Sequence, residues 1–253
     1  MLSLVTIPCL KDNYAFLVHD AASGATALID APEAAPILAE LDARGWALSH
    51  VLLTHHHWDH VDGLPGLDLG PDVTVIGASA DAHRLPPLGL AVAEGDRFRI
   101  GGAEVEVIEV PGHTVGHIAF LIPSAQLAFT GDSLMAMGCG RLFEGTAAQM
   151  WSSLSKFAGL PGETLICSGH EYTESNARFA HSLDAPPALI ERMDRIARAR
   201  AAGQPTVPST LAEERATNPM LRAADPALKA ALGIADRPDA EVFAHIRSLK
   251  DKF

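Results

Sequence analysis

Thr54-His55-His56-His57-Trp58-Asp59-His60 follows the apolar run Val51-Leu52-Leu53 and places four metal-capable side chains, His55, His57, Asp59 and His60, within six residues. At helical pitch His55 and His57 would point roughly 200° apart, whereas in extended backbone they share a side. The segment is therefore expected to be a strand end passing into a loop. His55 and His57 converge on one ion in this reading, while Asp59 and His60 face a second position. Imidazole and carboxylate together suit zinc, iron or manganese better than calcium or magnesium. Trp58 is expected to pack beneath the loop.

Further along, one piece of syntax recurs three times. Val105 to Val110 ends in Pro111-Gly112-His113, Leu127 to Thr130 ends in Gly131-Asp132, and Leu165 to Cys167 ends in Ser168-Gly169-His170. Each time an apolar run stops, a glycine permits unusual backbone geometry, and a metal-capable residue follows. Open α/β sheets bind ligands at strand ends, so four strand ends are expected to present metal-capable groups. Asp30, His56 and His117 are expected to orient the ligands from behind.

Around these points the chain reads as strand, helix, strand. Short apolar runs at Leu2 to Ile7, Tyr14 to His19 and Ala25 to Ile29 predict strands, and the spacing of Ile37, Leu38 and Leu41 predicts a helix from Pro32 to Arg44. Strands are expected at His50 to Leu53 and Val73 to Ile76, with a hairpin turning at Gly101-Gly102. A pair at His117 to Ile122 and Gln126 to Thr130 follows, then a helix at Ala147 to Ala158 and a last strand at Glu163 to Cys167. Beyond Glu171 strand signals disappear. Tyr172 to Ser182, Pro187 to Ala202 and Asp239 to Lys250 read as helices. The expectation is a layered α/β domain over residues 1–172 and a helical extension over 173–253.

Composition limits the function. Of 253 residues, 48% are hydrophobic and 20% charged, and 19 basic against 31 acidic residues give a formal charge of −12. Such a balance argues against nucleic-acid and anionic-membrane partners, both of which need a basic surface. There is no basic segment leading an apolar stretch at the N-terminus and no run long enough to span a bilayer, so a soluble cytoplasmic protein is expected; a monomer is expected as well, though no feature of the sequence sets the oligomeric state. Cys9, Cys139 and Cys167 are scattered and odd in number, which fits buried free thiols better than a disulfide framework.

Thr54-His55-x-His57-x-Asp59-His60, with the later Gly-His-Thr, Thr-Gly-Asp and Gly-His-Glu, resembles the metallo-β-lactamase superfamily. The resemblance implies an αββα sandwich with a C-terminal helical domain and a dinuclear centre. His55, His57 and His113 would hold the first ion, Asp59, His60 and His170 the second, and Asp132 would bridge them. A narrower similarity is to the glyoxalase II (hydroxyacylglutathione hydrolase) family. It rests on Thr130-Gly131-Asp132-Ser133-Leu134, on the segment Gly138 to Thr146, on Gly169-His170-Glu171-Tyr172-Thr173, on Asn218-Pro219 and on Arg247 to Asp251. By this similarity Arg141, Phe143, Tyr172, Arg247 and Lys250 would hold the glutathione moiety. A lysine is commoner at the position of Arg141 and a tyrosine at that of Phe143, and Phe143 can donate no hydroxyl hydrogen bond.

The implied activity is hydrolysis of S-(2-hydroxyacyl)glutathione, S-D-lactoylglutathione being the family's usual substrate, to a 2-hydroxy acid and glutathione in the second step of methylglyoxal detoxification. Two divalent ions per chain, zinc ahead of iron or manganese, would supply the hydroxide, with Asp59 and Asp132 as the ligands that position it. Arg247, Lys250 and Lys252 give the tail a local positive charge for an anionic tripeptide. The alternatives are a glutathione-persulfide dioxygenase of the same superfamily, which would take up oxygen, and a noncatalytic metal-binding module, which would turn nothing over.

Overall fold

In the computed structural model, which describes residues 2–253, strands dominate up to residue 131 and helices after 170. The chain divides into two units that are not contiguous in sequence. The first comprises the residues up to Glu109 with Gly116–Gly131 and Cys167–His170; the second comprises Val110–Val115, Asp132–Ile166 and Glu171–Phe253.

In the first unit β1 (Leu2–Cys9), β2 (Asn13–Asp20) and β3 (Thr26–Ile29) form an antiparallel meander. Helix α1 (Ala34–Arg44) then crosses to β4 (His50–Leu52), and after the short helix α2 (Trp58–Val61) come β5 (Thr74–Ala78) and β6 (Leu90–Val92). The last three strands run parallel, and the order is β1-β2-β3-β4-β5-β6. Helix α1 stops at Gly45, whose φ of 64° lets its N–H turn back to the carbonyls of Asp42 and Leu41.

Alternation along the strands assigns the faces. Leu17, Leu28 and Val51 meet Ile37 and Leu41 of α1 in one core cluster. On the opposite face Phe16 lies edge-on to Phe129, ring centroids 5.7 Å apart. Phe129 belongs to a second sheet, in which β7 (Arg97–Ile100), β8 (Ala103–Glu109), β9 (Ile118–Ile122) and β10 (Leu127–Gly131) run antiparallel in that order. This unit is therefore two sheets face to face with α1 outside, as the motifs imply. All five residues of β9 are buried, so its sequence is apolar throughout instead of alternating. The β7–β8 hairpin turns at Gly101-Gly102, with Arg97 paired to Glu104 at 3.0 Å and Glu106 at 3.2 Å on its wet side.

Two local expectations are corrected here, and one strand was not foreseen. Residues 58–61 close a helical turn where a loop is expected, because Asp62 N–H reaches the Trp58 carbonyl at 2.8 Å. Trp58 is 65% exposed and does not pack beneath that segment, since His60 and Val61 take the inner side of the turn. Strand β6, too short to leave a periodic signal after Pro86-Pro87, pairs in parallel with β5.

The second unit begins its regular structure with a small hairpin, β11 (Leu134–Met135) and β12 (Gly138–Cys139). Helix α3 (Ala147–Ser155) follows, opened by a capping box between Thr146 and Gln149. Strand β13 (Leu165–Ser168) is divided between the units: Leu165 and Ile166 pair with β14 (Ser209–Thr210), and Cys167 and Ser168 belong to the first unit. Strand β14 corrects the expectation that strands end before residue 172; two residues offer no alternation to read. Helices α4 (Thr173–Leu183), α5 (Pro187–Ala201), α6 (Leu211–Thr217), α7 (Pro226–Ala231) and α8 (Asp239–Lys250) complete the unit. Ala177 and Ala180 of α4 pack with Leu189 and Ile196 of α5 and with Met137.

Candidate metal centre

Five of the seven expected ligands lie in the first unit. Asp59, His60 and His170 offer ligand atoms that all fall within 4.8 Å of one another. His60 Nε2 is 3.3 Å from His170 Nε2, and His170 Nε2 is 3.5 Å from Asp59 Oδ2. Each ring is held at its far nitrogen by a carboxylate: His60 Nδ1 is 2.8 Å from Asp30 Oδ2, and His170 Nδ1 is 3.1 Å from Asp12 Oδ1. Carboxylates on Nδ1 fix the tautomer and leave Nε2 as the inward donor. The Asn13 amide donates to Asp59 Oδ2 at 3.1 Å and to the Asp59 carbonyl at 2.9 Å, fixing the third group.

His55 and His57 stand beside them, His55 Nε2 being 3.1 Å from His57 Nδ1. The other nitrogen of His55 is 3.0 Å from Thr54 Oγ1. Thr54 in turn donates its backbone N–H and its hydroxyl to Asp30, each at 2.8 Å. Asp30 therefore touches His60 directly and acts on His55 through Thr54. It adopts a φ of 56°, a conformation aspartate tolerates better than most residues. His117, fully buried, stacks on His55 with centroids 4.6 Å apart. His56 Nδ1 is 2.9 Å from the buried carboxylate of Asp81. Gly131 has a φ of 47°, and a Cβ there would lie 2.5 Å from Thr54 Oγ1. Its lack of a side chain is what lets β10 end against Thr54.

Such a cluster fits a divalent cation. Imidazole nitrogens and a carboxylate oxygen face one another, their outer edges already satisfied, and this donor mixture suits zinc, iron or manganese.

His113 and Asp132 lie in the second unit, with His113 Nε2 3.4 Å from Asp132 Oδ2. His113 Nδ1 is 2.8 Å from the Arg141 carbonyl, an acceptor, so Nδ1 carries the proton and Nε2 is the bare nitrogen. Both residues line a cavity of about 290 Å³ whose wall also includes Arg141, Phe143, Tyr172, Arg247 and Lys250. The structure thus gathers all five expected glutathione contacts in one place. The Phe143 ring stands edge-on to His113 at 5.3 Å and is largely exposed.

Electrostatics of this cavity come from α8. Arg247 is 5% exposed; it donates to the Cys139 carbonyl at 3.1 Å and to Asp251 at 2.8 Å, while its Nε has no partner. Lys250 has its pKa pushed down to about 8, by burial first and then by the positive charges of Arg247 and Arg178. Burial pushes the thiols the other way: Cys9 is raised to about 12, and Cys139 and Cys167 are also raised. All three cysteines are free and buried, as expected.

Sequence reasoning missed what holds the hairpin. The Asn218 amide donates to the carbonyls of Met135 at 3.1 Å and Gly138 at 3.0 Å; Glu214 accepts from Met137 N–H at 2.8 Å; Asn176 donates to the Ala136 carbonyl at 3.0 Å. Asp12, which holds His170, was missed as well. Its only signal is its place in a turn before β2.

Residues 12–170 match the metallo-beta-lactamase superfamily, and residues 171–253 match the hydroxyacylglutathione hydrolase C-terminus. Over 253 residues the chain is 64% identical to a hydroxyacylglutathione hydrolase of Ruegeria pomeroyi, covering all of this chain and 99% of that one. The chain belongs to the hydroxyacylglutathione hydrolase family. A hydroxyacylglutathione hydrolase of Jannaschia is 61% identical, over 99% of this chain and 98% of the relative, and one of Rhodobacter capsulatus is 54% identical, over 100% and 99%. Among solved structures, ETHE1 from Myxococcus xanthus superposes with a TM-score of 0.66 at 26% identity, covering 98% of this chain and 90% of that one. TTHA1623, solved in a di-iron-bound form, gives a TM-score of 0.55 at 31% identity over 66% of this chain and 91% of that one. Superfamily membership and the His/Asp clusters together support a dinuclear site for divalent ions in this chain.

Proposed function

We propose that this chain hydrolyses the thioester of S-(2-hydroxyacyl)glutathione, S-D-lactoylglutathione included, to a 2-hydroxy acid and glutathione, at two divalent ions held by seven side chains. His55, His57 and His113 are assigned to one ion, Asp59, His60 and His170 to the other, and Asp132 to both. Zinc is the first candidate metal, with iron and manganese next. The observation that carries the reading is identity of 54–64% with hydroxyacylglutathione hydrolases over essentially the whole chain. These relatives do not favour the dioxygenase or the noncatalytic module.

When bound, such ions lower the pKa of a coordinated water from about 15.7 to about 7 and polarise the carbonyl to be attacked. The chain's own residues do the rest. Asp12 and Asp30 hold the His170 and His60 rings in the ligating tautomer, and Asn13 keeps the Asp59 carboxylate aimed inward. Arg141, Arg247 and Lys250 meet the substrate's carboxylates, Tyr172 offers a hydroxyl, and Phe143 adds apolar contact only. The leaving thiolate has a solution pKa of about 8.5, so no strong general acid is demanded of the protein.

The test pairs hydrolysis of S-D-lactoylglutathione with metal analysis of the same sample. Asp132→Ala is expected to abolish turnover and lower metal content; full activity in that variant would contradict the bridging role.

A further inference from the structure

Lys250 sits in a setting that does not explain itself. Its ammonium group has no carboxylate within ion-pair distance among the described residues, and its positive neighbours are Arg247 and Arg178. Asp251 is taken by Arg247 at 2.8 Å, and Glu174 by Arg178 at 3.2 Å. What touches Lys250 Nζ is one backbone carbonyl, that of Ser175 at 3.4 Å, and two aromatic faces. The Phe179 ring centroid is 5.2 Å away and that of Phe253 is 5.4 Å away. The two rings meet edge to face, 5.5 Å between centroids at 68°. Phe179 is buried in α4, while Phe253, the last residue, is 62% exposed.

A carboxylate partner would neutralise this ammonium group. A ring quadrupole does not; it attracts the cation and fixes its position while the full charge remains available. An aromatic pair is therefore the kind of holder a lysine needs if its charge is to meet a carboxylate arriving from outside.

We propose that Phe179 and Phe253 form an aromatic cage that positions Lys250 for the carboxylate of the incoming glutathione thioester. Both are positioning residues, because they act through Lys250. The proposal rests on the assignment of Lys250 to substrate binding made above, and it adds a specificity element contributed by Phe179 and Phe253.

Three variants of the full-length, metal-loaded protein test it, each read as KM and kcat for S-D-lactoylglutathione. Phe253→Leu keeps the apolar bulk and removes the π face; it is expected to raise KM about two- to fivefold, the size of one exposed cation–π contact, with kcat within twofold of the parent. Phe253→Trp, which keeps a stronger face, is expected to retain the parental KM. Lys250→Ala is expected to raise KM more than either. An unchanged KM in Phe253→Leu overturns the cage, and so does a rise of equal size in Leu and Trp, which would point to shape alone. Were Lys250→Ala itself to leave KM unaltered, the assignment of Lys250 to the substrate would fall and take the cage with it, and that failure is distinguishable from the first two.

Discussion

Lys250 is charged at neutral pH against two opposing influences, partial burial and the nearby Arg247 and Arg178, which together bring its pKa down to about 8. The sign of the consequence is direct. Below that value the ammonium form prevails and can meet a carboxylate; as pH rises through about 8 the charge is lost and binding weakens. KM for the glutathione thioester is therefore expected to climb on the alkaline side before an ordinary lysine would titrate, and a profile flat to pH 10 would remove Lys250 from the contact. Asp12 offers a second residue-level prediction. Asp12→Asn keeps the shape beside His170 Nδ1 but removes the charge that orients the ring, and metal affinity, read by chelator competition, is expected to fall about 10- to 100-fold. Neither consequence was visible in the letters. A lysine near a C-terminus is usually solvated, and an aspartate in a turn has many bland uses.

At the level of elements, the β11–β12 hairpin shows why part of the site is legible and part is not. His113, Asp132 and His170 could be read because each follows a glycine at the end of an apolar run, and those runs do become β8, β10 and β13, while His55, His57, Asp59 and His60 could be read because they crowd together after β4. The clamp on the hairpin left no such mark. Asn218 reaches Met135 across 83 positions and Glu214 reaches Met137 across 77, and single polar residues in or just after a helix carry no pattern that announces a partner so distant. Asn218→Ala should strand two buried carbonyls and a carboxylate contact, costing about 1–3 kcal/mol of stability in a denaturant titration. The same variant is expected to raise KM, since the hairpin leads into Arg141 and Phe143; a variant as stable as the parent would show that the clamp is dispensable. Helix α2 is a different lesson, because a four-residue turn replaces a loop and keeps His60 inward while turning Trp58 out.

For the molecule as a whole, the formal charge of −12 repels an anionic substrate, while Arg141, Arg247 and Lys250 share one cavity wall. Charges in contact range are screened less than those beyond a Debye length of about 10 Å at 0.1 M salt. If the cavity cations dominate, added salt should raise KM; if the overall charge dominates, added salt should lower it. Because salt screens the distant charges more than the cavity contacts, the second outcome is expected at moderate ionic strength, and steady-state kinetics between low and high ionic strength decide. The layered α/β arrangement was legible at this scale from the order strand, helix, strand, whereas the pairing of two sheets face to face was implied only by the resemblance of the motifs. The helical remainder was legible only as helix, since Pro205, Pro208, Pro219 and Pro226 show where segments break but not which faces meet.

Cys9, Cys139 and Cys167 are buried, and burial keeps their protons on, even at Cys139, which lines the cavity of about 290 Å³. A catalyst that releases a thiol at every turnover works amid that thiol and its oxidised dimer, where an accessible thiolate would be captured as a mixed disulfide. The thiol nearest the cavity, Cys139, is held protonated by burial and is a poor nucleophile. The chain's intact mass should stay unchanged through long exposure to glutathione disulfide, leaving it immune to redox poisoning by the oxidised form of what it makes.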